Sequence, residues 1–283
     1  MPWAGLIAAL AAGVLFSLGS ALQALDAREA PADDGLRLRL LARLARRRRW
    51  IAGFLLGGIG FGLQALAFAG APFVVVQPAL AVGLIVLLAF GKRMLGERVT
   101  RGELAAVAAI VGGVALLAWG APAQNEQLRS VGSAVWVLAI LGVLALAPFA
   151  LRGTRLDSAT LVIVASALGF GATNIATKLM SDDLGAGRYL VAIAWIAAAA
   201  AVAVAATVTE MTALQRRRAT TVIPISFGLQ TFLPIVIEPL YLHEEWSTAA
   251  LVGVPLATGL ALVLAGSVVL TRTGSVSELA AGV

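Results

Sequence analysis

The chain has 283 residues, of which 60% are hydrophobic and 13% are charged, and its net charge is +6. Because a soluble domain is normally about 45–50% apolar and about 25% charged, this composition excludes an ordinary soluble enzyme and indicates a membrane protein. The positive charge lies in the gaps between apolar segments, where it acts as a topology signal, so we expect no nucleic-acid partner.

Nine apolar segments follow one another along the chain, and each is long enough to cross a bilayer as a helix. They lie near residues 3–25, 50–71, 73–91, 103–120, 132–151, 158–179, 188–209, 219–241 and 247–270, and we number them segments 1 to 9. The sequence therefore predicts an all-α fold, a polytopic membrane helix bundle with about nine transmembrane helices.

The basic residues are concentrated in every second gap between the apolar segments. Of the 21 Lys and Arg residues, 18 follow segments 1, 3, 5, 7 and 9. Since short cytoplasmic loops accumulate Lys and Arg, we expect the N-terminus outside and the C-terminus in the cytoplasm. No basic residue precedes Arg28, whereas a cleaved signal peptide would begin with one. Abundant Arg and Ala with scarce Lys are typical of a GC-rich bacterial genome, so we expect the bacterial cytoplasmic membrane.

A weak internal repeat runs through the chain. Pro78 and Pro224 are 146 residues apart, and at the same offset Gly113-Val-Ala-Leu-Leu corresponds to Gly259-Leu-Ala-Leu-Val. Segments 1–4 then correspond to segments 6–9 in the opposite orientation, and inverted repeats are a hallmark of secondary transporters. We predict a first repeat over 1–120, a connecting segment 5 over 121–157, and a second, inverted repeat with a short cytoplasmic tail over 158–283.

Two motifs carry a resemblance to a known family. One is Ala71-Pro-Phe-Val-Val-Val-Gln77-Pro78 followed by Leu95-Gly96-Glu97-Arg98, and the other is Gly112-Gly113-Val-Ala-Leu-Leu. They resemble the drug/metabolite transporter (DMT) superfamily, whose members usually have ten helices in two inverted halves. This chain looks like that plan without its first helix, which is the layout of the NIPA-type magnesium transporters. The resemblance implies a cavity lined by segments 2, 3, 5, 7 and 8, although segment 2 carries Gln64 where NIPA-type proteins are more acidic.

Few polar residues lie inside the predicted spans, where they need a partner or a wet cavity. Ser226, Gln230, Pro234 and Glu238 are spaced by four residues and form one stripe on segment 8. We predict substrate-binding residues at Gln64, Gln77, Ser226, Gln230 and Glu238, and helix breaks at Pro78 and Pro234. The alternative is that the glutamines only bond neighbouring helices and the prolines only shape packing kinks.

The other charged residues lie near segment ends. We expect Glu97 and Glu103 to lie in solvated turns. We expect Lys178 to make a surface ion pair with Asp182 or Asp183. Asp26 and Glu210 mark the cytoplasmic ends of segments 1 and 7.

Function follows from these patterns. We expect a secondary transporter that moves a small solute or metabolite by alternating access between inverted repeats. A magnesium or divalent-cation transporter of NIPA type is the alternative, and a non-transporting membrane scaffold is a third possibility. A membrane enzyme is disfavoured because the chain has no cysteine, one histidine and no HExxH sequence, and we expect no cofactor and no metal site. The expected partners are a small-molecule or ion substrate and membrane lipids, and the sequence leaves both a monomer and a homodimer open.

Overall fold

The computed structural model describes residues 2–71, 73–120, 131–242 and 253–279, and within these ranges all regular structure is helical. The α-helices are α1 (Pro2–Glu29), α2 (Leu38–Leu44), α3 (Arg48–Gly70), α4 (Phe73–Met94), α5 (Arg101–Gly120), α6 (Val131–Ala150), α7 (Ala159–Gly185), α8 (Tyr189–Arg216), α9 (Ala219–Leu242) and α10 (Val254–Leu279). Segment 1 is α1, and segments 2 to 9 are α3 to α10. The predicted all-α fold is therefore confirmed.

Seven of these helices are long and apolar enough to cross a membrane: α1, α3, α4, α5, α7, α8 and α10. The other two long helices, α6 and α9, are apolar over the shorter stretches Val135–Ala150 and Ala219–Leu233. Large apolar side chains point away from the protein on the outer helices, as with Phe54 at 57% exposed and Trp136 at 71%. Such faces suit lipid, so the chain has the character of a multi-pass membrane protein.

The helices pack in a recurring set of pairs. α1 packs against α3 and α4, α7 packs against α8 and α9, and α5 packs along α10. Near its start, α9 is buried on all sides, since Ala219, Thr220, Thr221 and Val222 point in successive directions and none is more than 1% exposed. Within the described residues, α9 contacts every other long helix except α3, and α4 contacts α1, α3, α5 and α9, so these two helices form the centre of the bundle.

Glycines bring several helix pairs into backbone contact. A Cβ atom built on Gly83 of α4 would overlap the carbonyl oxygen of Gly13 on α1, and one built on Gly53 of α3 would lie 2.6 Å from the carbonyl oxygen of Gly19. Ser17 of α1 donates its hydroxyl to the Gly83 carbonyl at 2.5 Å. Small residues at such crossings allow the close packing on which membrane helices depend.

The basic loops meet at one end of the bundle, which we call the basic end. Arg152 in the α6–α7 loop donates to the Asp33 carbonyl at 3.0 Å, and Arg216 at the end of α8 pairs with Asp157 at 2.5 Å. Arg28 near the end of α1 pairs with Glu97 in the α4–α5 loop. The loops that carry most of the Lys and Arg are therefore on the same side.

The segment between α1 and α3 folds onto the end of α8, where the sequence indicated only a polar gap. Leu40 and Leu44 of α2 are fully buried, and Leu36 donates its N–H to the Thr212 hydroxyl at 2.9 Å. α8 continues to Arg216 rather than ending near residue 209, because this segment covers the extra turns.

Candidate functional site

Gln64 is half-buried on α3. Residues three and four positions apart share a helix face, so Gln64 is flanked by Gly60 and Ala67, which are both buried. A Cβ atom on Gly60 would lie 3.2 Å from the ring of Phe16, which shows that this face is turned toward α1. The other two flanking residues are phenylalanines with exposed side chains, so Gln64 lies at the edge of this face.

Gln77 and Gln230 lie on the two central helices. Gln77 shares its face of α4 with Ala81 and Leu84, which are 0% and 4% exposed, and Gln230 lies one turn beyond Ser226 on α9. All three glutamines are half-buried, and no described residue forms a hydrogen bond with their side-chain amides. The helices of Gln77 and Gln230 are in contact, whereas α3 packs mainly on α1 and touches α4 only lightly.

Ser226 has a different environment from the glutamines. It is 2% exposed, and its hydroxyl lies 3.5 Å from that of Ser166 on α7. This geometry indicates that Ser226 contacts a neighbouring helix and does not line a cavity. Glu238 lies outside the residues whose side chains the structure describes.

The predicted helix breaks do not interrupt the backbone. α4 and α9 remain helical through Pro78 and Pro234. Pro78 is the sixth residue of α4. A residue with a backbone N–H at this position would donate it to the Val74 carbonyl in the first turn, and proline has no such N–H. Pro234 likewise leaves the Gln230 carbonyl without its helical N–H partner, so each proline frees a carbonyl without ending its helix.

Glu97 is the most strongly bound carboxylate of the basic end, and the expected solvated turn is wrong. It is 6% exposed and accepts hydrogen bonds from the N–H of Ala219 at 2.8 Å and the N–H of Thr220 at 3.0 Å. The Thr220 hydroxyl donates at 2.5 Å, and Arg28 completes the set. Because Ala219 begins α9, Glu97 caps that helix from another part of the chain. We call Arg28, Glu97, Ala219 and Thr220 the Glu97 cluster.

Two glycines make the Glu97 cluster possible. Gly96 has φ +66°, a left-handed conformation that glycine adopts without strain, and it turns the chain so that the N–H of Glu97 bonds the Gly91 carbonyl at 3.0 Å. A Cβ atom on Gly91 would overlap the Thr220 methyl group. The Gly96-Glu97 pair is thus a turn followed by a helix-capping residue. The sequence contains both residues, but it does not show which helix Glu97 caps.

Glu97 stays ionised although it is buried. Burial alone would raise its pKa, but the hydrogen bonds from Thr220 and the charge of Arg28 outweigh that effect and lower the pKa of Glu97 below its ordinary value. The carboxylate can therefore hold its four donors at neutral pH.

Glu103 is also buried and does not lie in a solvated turn. It is 0% exposed and forms a capping box with Thr100, in which the N–H of Thr100 donates to Glu103 at 2.7 Å and the N–H of Glu103 donates to the Thr100 hydroxyl at 3.1 Å. Arg218, which precedes α9, lies 3.7 Å from the same carboxylate. The α4–α5 loop and the first turn of α5 are therefore both joined to the chain around the start of α9.

Other buried carboxylates join helix ends. Asp26 accepts the N–H of Trp50 at 2.8 Å and so caps α3 from α1. Asp183, near the end of α7, accepts the indole N–H of Trp195 at 2.7 Å and the Arg188 guanidinium at 2.7 Å. The expected partner Lys178 lies outside the described side chains, as does Asp182. In the described part of the chain no three His, Cys, Asp or Glu side chains come together as a metal site would require.

Comparison with protein-family models, with curated proteins and with solved structures finds no match to this chain. Function must therefore be argued from the geometry of the bundle.

Proposed function

We propose that this chain is an integral membrane secondary transporter that moves a small solute or metabolite by alternating access between two inverted repeats. The observation that carries the proposal is a reciprocal contact between α5 and α10. A Cβ atom on Gly113 would lie 2.7 Å from the Gly259 carbonyl oxygen, and one on Gly259 would lie 2.7 Å from that of Gly113. A contact in which each residue meets its own counterpart is what a two-fold axis produces.

Neighbouring contacts follow the same 146-residue offset as the sequence repeat. The Gly113 position faces the Val263 nitrogen at 3.0 Å, and the Gly259 position faces the nitrogen of its counterpart Leu117 at 2.9 Å. Further along, Gly120 meets Leu256 while its counterpart Gly266 meets Ile110. These paired contacts support a pseudo-two-fold relation between the repeats.

The central helices support the same relation. α4 begins at Phe73 and α9 at Ala219, again 146 residues apart, and Pro78 and Pro224 are the sixth residue of each. The pairs α1–α3 and α1–α4 in the first repeat match α7–α8 and α7–α9 in the second. This arrangement fits the ten-helix plan of the DMT superfamily without its first helix, and α6 is then the connecting helix.

In this proposal the solute binds between the repeats near Gln64, Gln77 and Gln230, whose amides have no partner among the described residues. The carbonyls freed by Pro78 and Pro234 add acceptors beside two of these glutamines. In this proposal the basic end faces the cytoplasm of a bacterial cell, where the Glu97 cluster joins α1, the α4–α5 loop and α9. Alternating access then requires the cluster to separate.

A NIPA-type magnesium transporter is the alternative, and the nine-segment layout is what favours it. Mg²⁺ is usually bound through carboxylates and retained water, and a site of amide oxygens would have to hold the hydrated ion. An uptake test separates the two functions. Purified protein in proteoliposomes should accumulate one solute from a panel of amino acids, sugars and Mg²⁺ under an ion gradient and without ATP. If no solute of the panel enters faster than in empty vesicles, a non-transporting scaffold becomes the better explanation.

A further inference from the structure

Among the described residues of the spanning helices, Glu210 is the one carboxylate that takes part neither in a helix cap nor in an ion pair. It lies on α8, six residues before the helix ends at Arg216, or about 9 Å along the axis. The adjacent residues Val208, Thr209, Met211 and Thr212 are at most 1% exposed, whereas Glu210 is partly exposed. Glu210 is therefore a partly exposed position at a helix end that is otherwise enclosed by protein.

The neighbouring threonine hydroxyls on α8 already donate hydrogen bonds to other groups. The hydroxyls of Thr207, Thr209 and Thr212 donate to carbonyls of their own helix at 2.8, 2.8 and 2.7 Å. Within the described part of the chain no hydrogen bond and no ion pair reaches the Glu210 carboxylate. A charged group without a partner is expensive in a membrane span and is a functional site by default.

Among the side chains that the structure describes, the elements packed against α8 supply no free counter-charge. α8 contacts α7 and α1 and, more lightly, α6, α2 and α9. α6, residues 159–177 of α7 and residues 219–233 of α9 carry no charged side chain.

Charged residues on α1 and α2 that lie toward the same end already have partners. Asp26 accepts the N–H of Trp50 and pairs with Arg47. Arg28 pairs with Glu97, and Glu29 pairs with Arg47 and Arg49. Arg39 and Arg43 both pair with Asp34. On α8 itself, Arg216 pairs with Asp157.

We propose that Glu210 binds the proton whose movement drives the transported solute, an inference that rests on the proposed function. A proton needs a single oxygen acceptor, whereas Mg²⁺ needs several oxygen ligands, so a lone carboxylate suits the proton. The carboxylate takes up one proton at its partly exposed side and becomes a neutral acid. The cost of an unpaired charge then disappears, which allows this end of α8 to change its packing. Release of the same proton restores the charge.

Chemical labelling tests the proton site without any transported solute. Dicyclohexylcarbodiimide reacts with protonated carboxyl groups in apolar surroundings, and mass spectrometry identifies the labelled peptide. We expect the reagent to label Glu210 at low pH, with labelling lost as pH rises and absent in Glu210→Gln. Exposed Glu29 and four-fold bonded Glu97 serve as internal controls and should label weakly. Labelling of Glu210 that is no stronger than that of Glu29 overturns the inference.

Proton movement tests the coupling. The pH-sensitive dye pyranine, trapped in proteoliposomes, should report proton movement when the transported solute of the panel is added to wild-type protein. Glu210→Gln mimics the neutral acid and should retain the fold, measured by its melting temperature, while losing the dye signal. If Glu210→Gln still couples solute and proton movement, the inference fails while the proposed function stands. If wild type transports nothing but Glu210 still labels with pH, the proposed function and the coupling fail, and the proton site remains.

Discussion

Thr220 donates both its backbone N–H and its hydroxyl to one oxygen of Glu97, at 3.0 and 2.5 Å, across 123 residues of chain. The other oxygen accepts the N–H of Ala219 at 2.8 Å and the guanidinium of Arg28. One carboxylate therefore holds α1, the α4–α5 loop and α9 together. The basic end cannot open between these elements without leaving a buried carboxylate unpaired, which is costly.

Glu97→Gln should destabilise the protein and loosen the basic end. The amide keeps one acceptor oxygen, and its NH₂ group would face N–H donors, so we expect a loss of about 3–5 kcal/mol, as when a buried ion pair is broken. The melting temperature and thiol labelling of a Val222→Cys reporter check this, because the chain has no other cysteine and Val222 is fully buried in the first turn of α9. Glu29→Gln is the control, because Glu29 is 54% exposed and should change little. Unchanged melting and labelling in Glu97→Gln would contradict the role of the cluster.

Stability should fall in acid through Glu97. Folding lowers the pKa of this carboxyl, so its contribution is complete above the unfolded-state pKa and is lost as pH falls through the lower folded-state value. We therefore expect the melting temperature to decline below the ordinary glutamate value of 4.5 and to decline less in Glu97→Gln. Asp157 acts in the same direction, since hydrogen bonds from Arg216 and the Gly153 N–H lower its pKa, so Asp157→Asn is measured in parallel. A wild type and a Glu97→Gln variant with parallel pH profiles would refute the prediction.

Gly113→Ala should separate α5 from α10, whereas Gly112→Ala should not. The added methyl group meets the Gly259 backbone oxygen at 2.7 Å in the first case and nothing within 4 Å in the second. We expect a loss of about 1–3 kcal/mol from overpacking in Gly113→Ala. Gly112→Ala should be neutral or gain up to about 1 kcal/mol from helix propensity. Thermal unfolding in detergent measures both.

Gly259→Ala extends this test to the reciprocal contact. It should lower the free energy of unfolding by about as much as Gly113→Ala does. The double variant should lose less than the sum of the two single losses, because both methyl groups widen the same helix crossing. Full additivity would argue against the reciprocal contact.

The glutamines should matter for transport more than for folding. Gln64→Leu, Gln77→Leu and Gln230→Leu each remove an amide that has no partner among the described residues. If these amides face a wet cavity, transport should be lost while the melting temperature stays nearly constant. Ser226→Ala is the contrasting variant, since it removes the contact with Ser166 and should lower stability with little effect on transport per folded molecule. Normal transport by all three glutamine variants would refute the site.

The basic end should face the cytoplasm. Leu156→Cys in the α6–α7 loop is at the basic end, and Ala186→Cys between α7 and α8 is at the opposite end, and both positions are exposed. In intact cells an impermeant maleimide should label Ala186→Cys and spare Leu156→Cys, because positive loops stay in the cytoplasm. The reverse pattern would invert the predicted topology.

Much of the fold could be predicted from the sequence because its signals are local. Long apolar segments become helices in a membrane whatever their neighbours, since a buried backbone must satisfy its own hydrogen bonds. The alternation of basic loops likewise depends only on chain order, and the four loops do meet at one end. The 146-residue offset follows from the sequence positions of Pro78 and Gly113 and their counterparts, and it does not depend on the contact between α5 and α10.

The partners of the polar groups could be decided only by the tertiary structure. Glu97 has the same local sequence whether its turn is solvated or caps a helix 123 residues away, and only the meeting of α4 and α9 selects the cap. Ser226 shares a stripe with Gln230, yet the position of α7 directs it to Ser166. α2 is too short to be read from hydropathy, and it forms because α8 offers a surface for Leu40 and Leu44. Burial and hydrogen bonding depend on which helices become neighbours, and hydrophobic periodicity along one helix does not contain that information.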